Sequence, residues 1–232
     1  MATAPQPPEP QPDPTTALKL QAMGGLVSDD LRAATRAGHD AAGRTTTNDV
    51  ATLAGFLRWA TPLRYLGDKY ASKGFTRERP GGFEVLRSPD GTFDIAVAPG
   101  SYATGTDGSP TTRVERGPLT GQAVNANRDQ IRFDSNVIPF GPRERQREKA
   151  PQRLTWLLLH CFDVFANELR VELSLPVEFT PKGGTDHESG AVTRFQPRLI
   201  LPPISLAHNA QIEDDEEDEG DDQIDVPVDR RR

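Results

Sequence analysis

A single cysteine, Cys161, stands among 232 residues. No disulfide can form within such a chain, and a reducing cytosol is the compartment expected for it. The shortage extends to metal chemistry. Four histidines (His39, His160, His187 and His208) lie scattered along the sequence, none at the spacing from cysteine that a structural zinc site needs, so no metal is expected. Aromatic residues make up 6% and apolar residues 35% of the chain, and the mean hydropathy is -0.59. Both fall below an ordinary globular domain, which places part of the sequence outside any core. No apolar run is long enough for a transmembrane helix, so no membrane association is expected. Met1 to Ala22 has neither a basic nor a continuous apolar region, and no signal peptide is expected.

Cofactor motifs are missing as well. Gly100 to Gly105 has the glycine gap of a phosphate loop, but Thr106 and Asp107 follow where a lysine and a hydroxyl residue would neutralise and chelate the phosphates. No G-x-G-x-x-G opens a helix and no G-x-S-x-G elbow occurs, so no cofactor is expected. Cys161 sits in the most apolar run of the chain, where a thiol is a core residue rather than a nucleophile.

What the chain does contain is strongly partitioned. Residues 212–232 hold eleven acids and three arginines, a net charge of -8 against -7 for the whole protein, so the rest is near neutral. Like charges packed this densely repel and bury nothing, which makes 208–232 an acidic disordered tail. At the other end, proline at nearly every second position from Pro5 to Pro14 removes amide donors and favours an extended arm over 1–27.

Between the tails, 28–207 reads as one α+β domain: one or two helices packed on a mainly antiparallel sheet of about five strands. Ser28-Asp29-Asp30 can cap a helix through Leu31 to Arg36 whose alanines bury little, so it is expected to be peripheral. Leu53, Phe56, Leu57, Ala60, Leu63, Leu66 and Tyr70 recur at three- and four-residue spacing and form the main core helix, which Pro62 should bend or restart. The period then falls to two. Phe83 to Val85 and Phe93 to Val97 flank the turn Ser88-Pro89-Asp90-Gly91; Leu154 to Phe165 and Glu168 to Leu175 flank Ala166-Asn167; Val192 to Leu201 makes the last strand. Residues 99–130, rich in Gly, Ser, Thr, Asn and Arg, read as a long loop, and loops of that length in a compact domain are commonly functional.

Two chemistries remain. Asp94, Glu84 and Glu172 fall on strands and could hold a divalent ion for phosphodiester hydrolysis, although solvation of a polar sheet face accounts for the same alternation. The second is cationic. Arg143, Arg145, Arg147 and Lys149 fall on one side of an extended chain, Arg153 closes the segment, and Arg113, Arg116, Arg128 and Arg132 from the long loop could widen it into a phosphate-binding surface. The leading expectation is a non-catalytic cytosolic interaction protein that binds nucleic acid, or a basic protein partner through its acidic tail, with that tail competing for the cationic surface. The alternatives are the metal-dependent hydrolase and a protein-only adaptor. Oligomeric state is not fixed by the sequence.

Overall fold

The computed structural model describes residues 11–135, 153–183 and 189–206, with the side chains of 132–135 left aside. In chain order the elements are α1 (Pro14–Ala22), α2 (Ser28–Gly43), α3 (Leu53–Tyr70), β1 (Thr76–Glu78), β2 (Val85–Arg87), β3 (Phe93–Pro99), α4 (Pro118–Ser135), β4 (Leu154–Asp163), β5 (Glu168–Pro181), β6 (Gly190–Ile200) and β7 (Ile204–Ser205). The class is α+β. Among the described residues it has four α-helices where one or two were expected and seven strands where about five were expected.

The N-terminal expectation fails at its inner end. The proline run supplies a helix start: Pro14 takes the first helical position, and the Asp13 carboxylate accepts the Thr16 N–H at 3.2 Å. Leu20, on that helix, and Leu26 beyond it are about 1% exposed, so the segment belongs to the core.

The second helix is likewise not peripheral. It runs sixteen residues and buries Leu31, Ala34, Gly38 and Ala42. Its small residues let α3 come close instead of leaving the helix loose: a Cβ on Gly38 would stand 2.9 Å from the Pro62 ring. Pro62 lies inside a continuous α3 and fills the space that Gly38 leaves open. Only the second half of α3 is deeply buried, through Leu63, Leu66 and Tyr70, whereas Phe56 is 54% exposed.

The sheet order is β1-β2-β3-β4-β5-β6, with β7 beside β5. Every pairing is antiparallel except β3 with β4, which run parallel in the register Phe93↔Leu154 to Pro99↔His160. A parallel pair needs a crossover, and α4 provides it. This corrects the expected loop at 99–130, whose second half is helical. The consequence is a three-layer stack. Phe93, Ile95, Val97, Trp156 and Leu158 pack under α1, α2 and α3, while Ala96, Ala98, Leu157, Leu159 and Val192 pack with Val124 of α4. Apolar cover on both faces explains why β4 is apolar without alternation.

β5 alternates in sequence, yet two of its polar positions are not solvated. Glu172 and Ser174 are 0% exposed because the chain leaving β3 folds over them. Gly105, at φ +71°, donates its N–H to the Glu172 carboxylate at 2.8 Å, and a Cβ there would stand 2.9 Å from the Arg170 Cβ. Arg198 of β6 pairs with the same carboxylate and donates to the Thr106 and Gly108 carbonyls at 2.9 and 2.6 Å.

Beyond this loop, 111–116 joins two parts of the sheet. Arg113 donates its N–H to the Pro99 carbonyl at 2.9 Å, Thr112 to Val192 at 3.0 Å, and Arg116 to Gly190 at 2.7 Å. The segment therefore spans from the end of β3 to the start of β6 and holds Arg113 and Arg116 in place.

Candidate functional site

The acidic trio does not form a centre. Asp94 accepts from Arg87 at 3.0 Å and lies 3.7 Å from Arg153, Glu84 is held by Arg77 and Arg79 at 3.2 Å, and Glu172 is held by Arg198. Each carboxylate already has its own guanidinium. Among the described residues no group of three or more histidine, cysteine, aspartate or glutamate side chains could hold a metal ion.

The predicted cations that fall among the described residues are dispersed. Arg153 faces Asp94 and donates to the Gly91 carbonyl at 2.9 Å. Arg128 lies on α4, 3.8 Å from Asp129. The backbone of Arg132 also lies on α4, while Arg143, Arg145, Arg147 and Lys149 fall outside the described residues. Arg113 and Arg116 are different. Neither has a carboxylate within ion-pair distance among the described residues, and both line cavities at one end of the sheet.

The larger cavity, about 480 Å³, opens where β3 and β4 end. Its floor includes His160 from β4 and Thr35 and His39 from α2; Arg58 and Trp59 of α3 form one wall, and Tyr102 and Arg113 another. The smaller cavity, about 410 Å³, is lined by Trp59, Phe83, Glu84, Arg116 and the start of α4. Trp59 is a lining residue of both cavities, and the surface that they make up on its two sides is termed the groove. Phe56 meets Trp59 edge to face at 5.4 Å between ring centroids, and Tyr102 is 56% exposed.

Electrostatics along the groove follow from local pairing. Glu115 and Glu84 are the carboxylates of the smaller cavity; Lys182 holds Glu115 at 2.7 Å and lowers its pKa, and Arg77 and Arg79 hold Glu84. Arg58, Arg113 and Arg116 have no such match among the described residues. Arg116 is half-buried, its Nε has no partner, and burial lowers its pKa. Unpaired buried charge is costly, so this side chain is suited to an anion arriving from outside.

The imidazoles on the floor are also unsatisfied. His160 is 7% exposed and its Nε2 has no partner; His39 Nδ1 is likewise unpartnered. Burial and the Arg58 guanidinium push the His160 pKa down to about 4 and lower that of His39. Both rings are therefore neutral. Cys161 follows His160 on the strand, 4% exposed, with its thiol pKa raised by burial. That is the property of a core thiol rather than a nucleophile.

Arg58, Trp59 and the two histidines were not singled out as a site from the sequence, because residues from α2, α3 and β4 meet only through tertiary packing. The one available signal was Trp59, a large aromatic four residues before Leu63 that packs half-buried at the edge of the first core. No protein family, curated protein or solved structure matches this chain.

Proposed function

We propose that this is a non-catalytic, single-strand nucleic-acid-binding protein whose interface is the groove between α3, the end of β3 and the segment 111–116. The observation that carries the reading is that three arginines without carboxylate partners among the described residues, Arg58, Arg113 and Arg116, line the two cavities that share Trp59. Cations that follow a backbone, interleaved with aromatic faces on which bases stack, are the two components of sequence-tolerant single-strand binding. Arg113 and Arg116 are retained from the cations expected from the sequence. Arg58, Trp59 and Tyr102 are added to them. The reading goes with a cytosolic protein, since the lone thiol is buried and unpaired. Among the described residues no helix is long and apolar enough to cross a membrane.

The test is fluorescence anisotropy of a labelled twelve-nucleotide single strand at several salt concentrations. Binding should weaken steeply with salt, and replacing both Arg113 and Arg116 by alanine should reduce the salt slope by about 1.4, at about 0.7 per phosphate contact on single strands. Trp59→Ala should weaken binding by about 1–3 kcal/mol through lost stacking. Removing residues 212–232, whose net charge is -8, should tighten binding by relieving competition for the groove. No binding at low salt by either form overturns the reading.

A further inference from the structure

We infer that the floor of the larger cavity is a binding site for a terminal phosphomonoester, carried by a strand end or by a free nucleotide. The inference rests on the groove reading for its location and on different residues for its chemistry.

An internal phosphodiester carries one negative charge and continues into chain on both sides, so it suits an open groove. The larger cavity is lined by Thr35, His39 and His160 together with Arg58, and of these Thr35 and His160 are buried. A backbone that continues on both sides reaches buried lining side chains less readily than a group with a free end. A terminal phosphate has one, together with a charge near -2 at neutral pH and three strong acceptor oxygens.

The donors fit that group. His160 stands on the strand face turned toward α2 and α3, in step with Trp156 and Leu158, and its Nε2 lies buried without a partner. A buried polar atom left unpaired is costly, and a ligand oxygen would satisfy it. His39 brings a second unpartnered nitrogen from α2, with its ring held against Phe162 at 4.9 Å between centroids. Arg58 from α3 lies near enough to lower the pKa of both rings and has no carboxylate partner among the described residues. Three nitrogen groups on three elements surround a tetrahedral oxyanion better than a planar carboxylate, which a single guanidinium fork already satisfies. The cavity volume of about 480 Å³ also lies within the size range of small-molecule sites.

Binding would change the protonation of the floor. The charged groups facing the histidines are Arg58 from α3 and, beside His39, Arg36 and Asp40 on α2. A dianion placed among them reverses the local field, so an imidazole that is neutral in the empty site takes up a proton when the phosphate arrives.

The experiment compares one single-strand sequence bearing a 5′-phosphate, a 3′-phosphate or hydroxyl ends, with inorganic phosphate and a nucleoside monophosphate as competitors, all on the full chain. One phosphorylated end should bind at least tenfold more tightly than the hydroxyl form, and that ratio should fall to below twofold in His160→Gln. Should this variant fail to fold, calorimetry of the unaltered protein at pH 7 in buffers of different ionisation enthalpy reads the same point: proton uptake accompanies the phosphorylated strand and not the hydroxyl strand. A nucleoside monophosphate that competes as well as the strand identifies a free metabolite as the source; a weaker one identifies the strand end. Equal affinity for all three ends overturns the inference and leaves the groove reading standing. Competition among phosphomonoesters without binding of hydroxyl-ended strands overturns the groove and leaves the recess.

Discussion

Asn127 of α4 and Thr155 of β4 exchange two hydrogen bonds, Asn127 Nδ2 donating to the Thr155 carbonyl and Thr155 N–H donating to Asn127 Oδ1, both at 2.8 Å. Nδ2 also donates to the Pro176 carbonyl at 2.9 Å. The regular β4–β5 ladder ends at Leu157↔Ser174, and Pro176 has no N–H to offer. A side-chain amide from the crossover helix therefore takes the place of a strand residue, and it is 0% exposed. Asn127→Ala leaves one buried donor and two carbonyls short of a partner. Urea unfolding should show a loss of about 3 kcal/mol; a loss within about 0.5 kcal/mol would mean that water replaces the amide without penalty.

Glu172→Ala should destabilise by about 3–5 kcal/mol, because it leaves the Arg198 guanidinium without its carboxylate and frees the Gly105 amide. Arg198→Met removes the charge and the anchors to Thr106 and Gly108. Hydrogen exchange at Gly105 should accelerate in both variants. Unchanged protection would show that the loop is held by its other contacts.

Gly38 and Pro62 form a matched pair, so their substitutions should couple. Gly38→Ala brings a methyl to 2.9 Å from the Pro62 ring and should cost about 1–3 kcal/mol. Adding Pro62→Ala should recover at least half of that loss in a double-mutant cycle. Strict additivity would separate the two sites.

Stability should fall on mild acidification. The folded His160 pKa, about 4, lies below its ordinary 6.5, so as pH drops the unfolded chain takes up its proton first. The contribution is fully present above about pH 6.5 and is lost progressively toward pH 4, with a slope from His160 of at most about 1.4 kcal/mol per pH unit. The lowered pKa of His39 acts in the same direction. Unfolding free energies measured between pH 7 and 5 should show this slope, and His160→Gln should flatten it.

Cys161 should react with iodoacetamide at pH 8 at least tenfold more slowly in the folded protein than in urea, since burial both raises its pKa and restricts access. Equal rates would place the thiol at the surface.

Local signals carried the strands well. Two-residue alternation and the Ser88-Pro89-Asp90-Gly91 and Ala166-Asn167 turns located β3, β4 and the first half of β5, because period and turn chemistry depend on adjacent residues, whereas β2, expected at Phe83 to Val85, runs over Val85–Arg87. Asn167 has the positive φ, 47°, that its place in the turn implied. Residues 118–135 were not legible as a helix, since glycine, asparagine and threonine weaken the pattern there and the stabilising contacts, Val124 in the second core and Asn127 in the ladder gap, are long-range. The alanine and glycine content of α2 misled for a related reason: small residues signal weak burial in isolation and close approach when a partner helix is present.

The amino-acid order by itself determined the α+β class, the positions of the longer strands β3 to β6 and the burial of Cys161, all of which follow from period and composition over short stretches. Only the tertiary structure decided the parallel β3–β4 pair, the individual pairing of Asp94, Glu84 and Glu172 with arginines, and the meeting of Arg58, Trp59, Arg113 and His160. Those features depend on side chains far apart along the chain, whose charge balance and solvent access are set by which neighbours the folded backbone brings to them.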